Sequence, residues 1–282
     1  MKFAICNELF EGWEWPRVCR FVKETGYDGI EIAPFTFAPH AGALSAEERS
    51  RIRMTAEEAG LAIVGLHWLL AKTEGFHIAH PEAAVRRKTA DYLMLLSDLC
   101  ADLGGKIMVF GSPKQRDVPP ALAPALAREY AKVTFQDILP HLAGNGITLC
   151  FEPLAPQETN FINTASEARK LVEEIGHPNF RLTLDVKAMA SERRPIAQII
   201  KEHAPWLAHF HANDPNLLGP GFGEEDFAPI LASLKEIGYG GFVSVEVFDF
   251  SPGPEAIARE SLRYLARIIH YSGRVRLRRT VN

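Results

Sequence analysis

Short runs rich in β-branched and aromatic residues recur eight times along the chain, and each is followed by a longer amphipathic segment. Regular alternation of strand-like and helix-like periodicity builds βα units, which in series give a parallel sheet covered by helices. The runs are KFAICN from Lys2, GIEIAP from Gly29, AIVGLHWLL from Ala62, KIMVFGS from Lys106, TLCFEPL from Thr148, FRLTLDV from Phe180, LAHFHAND from Leu207 and FVSVEVF from Phe242. Helices are expected near 14 to 25, 45 to 59, 81 to 103, 121 to 143, 164 to 175, 194 to 203, 225 to 238 and 254 to 272. Ser45 with Glu48 and Thr164 with Glu167 are capping-box pairs, in which hydroxyl and carboxylate satisfy free amides at a helix entry. Gly26, Gly60, Gly104, Gly146, Gly176 and Gly238 each fall just past a helical stretch, where a left-handed residue ends the turn.

Order kept through eight units favours a closed barrel over an open doubly wound sheet, and 282 residues is an ordinary length for one. The expectation is therefore a single (β/α)8 TIM-barrel domain over residues 1–282, with a short basic tail from about 273. Arg274, Arg276, Arg278 and Arg279 in that tail are read as solvated or subunit-contacting. A net charge of -4 argues against a general affinity for nucleic acid, and no apolar run approaches the roughly 20 residues of a membrane span. Cys6, Cys19, Cys100 and Cys150 form no CxxC pair, and the start MKFAICNELF lacks a signal-peptide pattern. Free thiols in a cytoplasmic protein are expected.

Four of the later runs end in a possible metal ligand: Glu152 in CFEPL, Asp185 in LTLDV, His211 in AHFHAND and Glu246 in VSVEV. On neighbouring strands of a parallel barrel, all four converge on the face where barrel active sites lie. A lone acid at a strand end is an ordinary loop hydrogen-bonder, but one ligand on each of four successive strands reads as one site. Three carboxylates and an imidazole favour a single divalent ion, Mn²⁺ first, with Co²⁺, Mg²⁺ or Zn²⁺ as the others. Such an ion would leave positions for two oxygens of a hydroxy-ketone and polarise its carbonyl, so that a carboxylate removes the neighbouring proton and an enediolate follows. Glu152 and Glu246 are the expected acid/base pair: return of a proton to the opposite face is epimerisation, and return to the next carbon is isomerisation.

At these residues the chain resembles the sugar isomerase and epimerase superfamily with xylose-isomerase-like barrels, most closely the ketose 3-epimerase branch with D-tagatose and D-psicose 3-epimerases. The resemblance covers nearly the full length. It implies an Mn²⁺- or Co²⁺-binding quartet at Glu152, Asp185, His211 and Glu246 with the two glutamates as acid/base, substrate contact by Glu158, and a homodimer or homotetramer. The branch has a His three residues after the Asp ligand, where this chain has Ala188, and an Arg shortly after the His ligand, where it has Asn216, Leu217 and Leu218. The segment GPGFGEEDF looks more like hydroxypyruvate isomerases and inositol-pathway dehydratases, so dehydration of a keto-inositol or sugar-acid substrate, or isomerisation of hydroxypyruvate, is the alternative reaction. A non-catalytic sugar-binding barrel is the alternative of another class. Endonuclease IV shares the barrel, but its further metal ligands are replaced here by GSPK, Ala188 and GFGEED.

Other residues are expected around the mouth. His67, Lys187 and Phe248 are candidate substrate contacts, Phe248 by shielding the enediolate, and His209 is a candidate for a hydrogen bond to a ligand from one layer deeper. Trp68 is expected to pack, Glu8 and Glu31 to hydrogen-bond loops or else to touch substrate, and Asn213 and Asp214 to shape the turn after His211.

Overall fold

The computed structural model describes residues 1–279, and the side chains of residues 1–270. The basic residues Arg274, Arg276, Arg278 and Arg279 lie outside the described side chains. Eight strands, β1 (Lys2–Cys6), β2 (Gly29–Ile32), β3 (Ala62–Leu66), β4 (Ile107–Phe110), β5 (Thr148–Phe151), β6 (Phe180–Asp185), β7 (Leu207–Ala212) and β8 (Phe242–Val245), form a closed barrel in sequence order. Every pairing is parallel, and β1 closes on β8 with Ile5 opposite Val245. Around them run α1 (Trp15–Thr25), α2 (Ala46–Glu58), α3 (Ala83–Asp102), α4 (Pro124–Gly144), α5 (Ala165–Ile175), α6 (Val186–Ala190), α7 (Ile196–His203), α8 (Phe227–Glu236) and α9 (Pro254–Arg279).

Alternation along each strand decides what faces the helices and what faces the axis. Phe110, Phe151 and Phe180 point outward and surround Phe135 of α4, with ring centroids 5.0 to 5.9 Å from it. Each such buried aromatic stabilises the layer by about 1.5–3 kcal/mol. The intervening positions carry Thr183, Asp185, His209, His211 and Ser244, all buried, so the upper barrel interior is polar. Both expected capping boxes form, at Ser45 and Thr164. The glycines expected to end helices all have positive φ, from 65° at Gly176 to 110° at Gly26.

The strands are shorter than their sequence runs because the chain turns where the site begins. Pro153 follows Glu152 and has no N–H for a continuing ladder, and Trp68, with φ of 50°, bends the chain just after β3. Unexpected is α6, a single short helix whose N-cap is Asp185 itself, its Oδ1 accepting Ala188 N at 2.7 Å.

Candidate metal centre and active site

The sheet ladder places the quartet. Glu152 N donates to Phe110 O at 3.2 Å and Glu246 N to Ala212 O at 3.2 Å, so each glutamate sits one residue beyond its strand with its direction still set by the sheet. Asp185 and His211 are register partners on β6 and β7. One ligand atom from each of Glu152, Asp185, His211 and Glu246 lies within 4.8 Å of the others, and all four residues are buried. His211 Nδ1 is 3.0 Å from Glu152 Oε1 and 3.0 Å from Glu246 Oε2.

This donor set, three carboxylates and one imidazole converging from four strand ends, fits a divalent cation. Burial, then Glu152, raises the Asp185 carboxyl to about 7. Burial would lower His211, but Glu246 and Glu31 outweigh it and hold the imidazole well above its usual value. Glu246 is driven down to about 2, since His211 beside it outweighs burial. A proton on His211 thus compensates the crowded acids, in the place where an ion of charge +2 would do so more fully.

Beneath the quartet, Glu31 of β2 accepts from His209 Nε2 at 2.8 Å through Oε2, and its Oε1 lies 3.3 Å from His211 Nε2. It is fully buried, yet His209 and His211 outweigh that burial and hold its carboxyl well below the carboxylate range. With Nε2 of His211 engaged by Glu31, Nδ1 is left for the centre, an arrangement that fixes tautomer and ring direction. Glu31 is therefore no loop hydrogen-bonder, because it sits on the inward face of β2. His209 bonds Glu31 rather than a quartet member, because its ring reaches across the barrel.

Asn213 does more than shape a turn: its Nδ2 donates to Asp185 Oδ2 while its Oδ1 accepts Lys187 N at 2.9 Å. Asp214 closes the following loop by accepting Asn216 N at 3.4 Å and Glu225 N at 3.2 Å.

At the mouth, Lys187 Nζ is 2.7 Å from Glu158 Oε1 and 4.4 Å from the centre of the Phe248 ring. The structure thus brings three of the expected substrate contacts together. His67, a candidate substrate contact, is fully buried, since its backbone N continues the ladder to Ile32 O at 3.0 Å and turns the ring inward. Its Nε2 is 2.8 Å from Oε2 of Glu8, which is likewise buried within a short 3-10 turn, Asn7–Phe10. Burial would lower His67, but Glu8 outweighs it and the ring rises to about 9. Trp68, expected only to pack, donates its indole N–H to Glu246 Oε1 at 2.8 Å.

Two residues escaped the sequence reading. Arg116, fully buried after β4, donates to the carbonyls of Glu152 (2.6 Å), Phe110 (2.6 Å) and Ser112 (3.2 Å), with its guanidinium over the Phe151 ring. Burial lowers it to about 10 against the opposing pull of Glu152. Gly111 leaves room for the Glu152 carboxylate, because a Cβ there would collide with Oε2 and lie 3.3 Å from Cδ. An arginine in a polar loop gives no sequence signal of burial, whereas the glycine directly after a strand is a cue to a close approach.

Fold and site together define a β/α barrel with a buried carboxylate–imidazole centre at the C-terminal mouth. The family model for the xylose isomerase-like TIM barrel matches residues 19–268, and the chain belongs to that family. Among curated relatives, D-psicose 3-epimerase of Agrobacterium fabrum is 28% identical over 232 residues, covering 80% of this chain and 77% of its own. The 3-dehydro-D-guloside 4-epimerase of Escherichia coli is 24% identical over 272 residues, covering 94% and 99%. The crystal structure of D-psicose 3-epimerase with D-tagatose from Clostridium cellulolyticum superposes with a TM-score of 0.84 at 20% identity, covering 95% of this chain and 99% of that one, and shares the fold.

Proposed function

We propose that the chain is a divalent-metal-dependent epimerase of a ketose or related keto-sugar, with Glu152 and Glu246 as its acid/base pair. The observation that carries this reading is the placement of the two glutamates directly after β5 and β8, each with one oxygen 3.0 Å from the same imidazole nitrogen of His211. The relatives named above are 3- and 4-epimerases, which supports the same reaction class.

Glu152, Asp185, His211 and Glu246 would hold the ion, Mn²⁺ or Co²⁺ first. Bound there, it would supply positive charge that polarises the substrate carbonyl and acidifies the adjoining C–H. One glutamate removes that proton, leaving an enediolate, and the other, protonated from solvent, gives its proton to the opposite face and inverts the carbon. Glu158 offers an acceptor and Lys187 a donor for substrate hydroxyls, and this pair takes over from the His and Arg that Ala188 and Asn216 to Leu218 do not supply. Phe248 and Trp68 shield the enediolate from water. The buried free thiols Cys6, Cys19, Cys100 and Cys150 fit a reducing cytoplasm, and among the described residues no helix is long and apolar enough to cross a membrane. A homodimer or homotetramer is the expected assembly, read by sedimentation equilibrium.

The test is incubation of stripped protein reloaded with Mn²⁺ or Co²⁺ with ketohexoses, keto-glycosides, keto-inositols and hydroxypyruvate, followed by NMR and mass spectrometry. A new epimer of unchanged formula supports the proposal. Loss of water identifies a dehydratase instead, and tight binding without turnover identifies a sugar-binding barrel.

A further inference from the structure

The two oxygens of Glu246 are held by different residues. Oε2 lies 3.0 Å from His211 Nδ1, on the side of the quartet, and Oε1 accepts the indole N–H of Trp68 at 2.8 Å. Glu152 is held otherwise: Oε1 faces His211, and its other oxygen lies beside Gly111. Trp68 has a φ of 50°, in the left-handed region that bulky residues rarely adopt. Such conformations persist where the surroundings over-determine them, and they gather at functional sites.

The surroundings of Trp68 are defined. Its half-buried ring stacks on Phe248, at 6.1 Å and 21° between planes, and meets Phe35 at 5.7 Å. Phe248 in turn carries the Lys187 ammonium, which pairs with Glu158. A continuous line of contacts, Glu246 to Trp68 to Phe248 to Lys187 to Glu158, therefore crosses the mouth from β8 to the loop after β5.

We propose that Trp68 is a positioning residue for proton transfer: its indole N–H fixes the Glu246 oxygen turned away from His211, the one that carries the proton to and from substrate. In the direction in which Glu152 takes the substrate proton, Glu246 takes up its proton from solvent, and a fixed Oε1 favours delivery of that proton to the enediolate, which completes inversion, over return by Glu152 of a proton that has exchanged with solvent. This inference rests on the epimerase reading, and it adds a directing group to it.

The test replaces Trp68 in two ways in the metal-loaded full chain. Trp68→Phe removes the indole, and 3-benzothienylalanine at position 68 keeps ring size and stacking but puts sulfur in place of N–H. Turnover in D₂O gives the ratio of deuterium washed into recovered substrate to epimer formed. Loss of one hydrogen bond to a charged group predicts a fall in kcat of about tenfold or more, with KM changed less than about twofold. It also predicts a severalfold rise in the exchange-to-inversion ratio in both variants. A benzothienyl protein with the wild-type ratio and kcat overturns the inference.

A second readout does not depend on turnover. In protein labelled with ¹⁵N-tryptophan, the Trp68 indole signal is expected to move in Glu246→Ala. A signal that stays in place overturns the inference whichever sugars react, whereas absence of proton exchange from every sugar in wild type contradicts the epimerase reading.

Discussion

Glu31 serves both imidazoles of β7 at once, His209 through Oε2 and His211 through Oε1. Replacing it with Gln keeps the size, removes the charge and sets an amide donor against one of the rings. His211 would then turn or change tautomer, and its Nδ1 would no longer be directed at Glu152 and Glu246. Glu31→Gln is expected to weaken Mn²⁺ affinity about 10–100-fold, the usual cost of losing the partner that orients a ligating His. Calorimetric titration of the stripped protein checks this. Affinity equal to wild type would show that the sheet alone orients His211.

Among the elements, the segment after β4 governs Glu152. Gly111 gives its carboxylate room and Arg116 clamps its carbonyl, so the strand end is fixed from both sides. Gly111→Ala pushes the carboxylate aside, and a displacement of about 1 Å at a reacting group can cost about 100-fold in rate. The expected result is a kcat loss of that order with a melting temperature close to wild type, measured by turnover and thermal unfolding. A variant as fast as wild type would place the reacting oxygen elsewhere. The same segment shows where sequence reading stops. Strand ends and capping boxes are local, so Glu152, Asp185, His211 and Glu246 were legible as one constellation before any geometry was known. The partnerships of Arg116, Glu31 and Trp68 join strands far apart in the chain, at separations of 36 residues for Arg116 with Glu152 and 178 for both Trp68 with Glu246 and Glu31 with His209. No local pattern encodes such pairings. His67 shows the same limit: its place after β3 was legible, but its inward turn toward Glu8 follows from barrel closure.

At the scale of the whole molecule, the buried charges tie stability to pH and metal. Asp185 is raised to about 7, so in metal-free protein its contribution is fully present below its unfolded value near 3.8 and is lost as pH rises through about 7. His211 is raised also, and its contribution is present below about 6.5 and lost as pH climbs through its folded value. Metal binding requires both groups deprotonated, so it should release protons and strengthen from pH 6 to pH 8. Calorimetry in buffers of different ionisation heat measures the release, and the rise in melting temperature on adding Mn²⁺ should be larger at pH 8 than at pH 6. Binding without proton release would mean that the quartet is not the ligand set.

The central claim is that two glutamates just past β5 and β8 exchange protons with opposite faces of one carbon, and deuterium incorporation in D₂O tests it most directly. Mn²⁺-loaded wild type, Glu152→Gln and Glu246→Gln are compared on the sugar that wild type turns over, with metal content measured in each. The account predicts one deuterium at the carbon beside the carbonyl in wild type and its loss in each variant. Full exchange in both variants would contradict it.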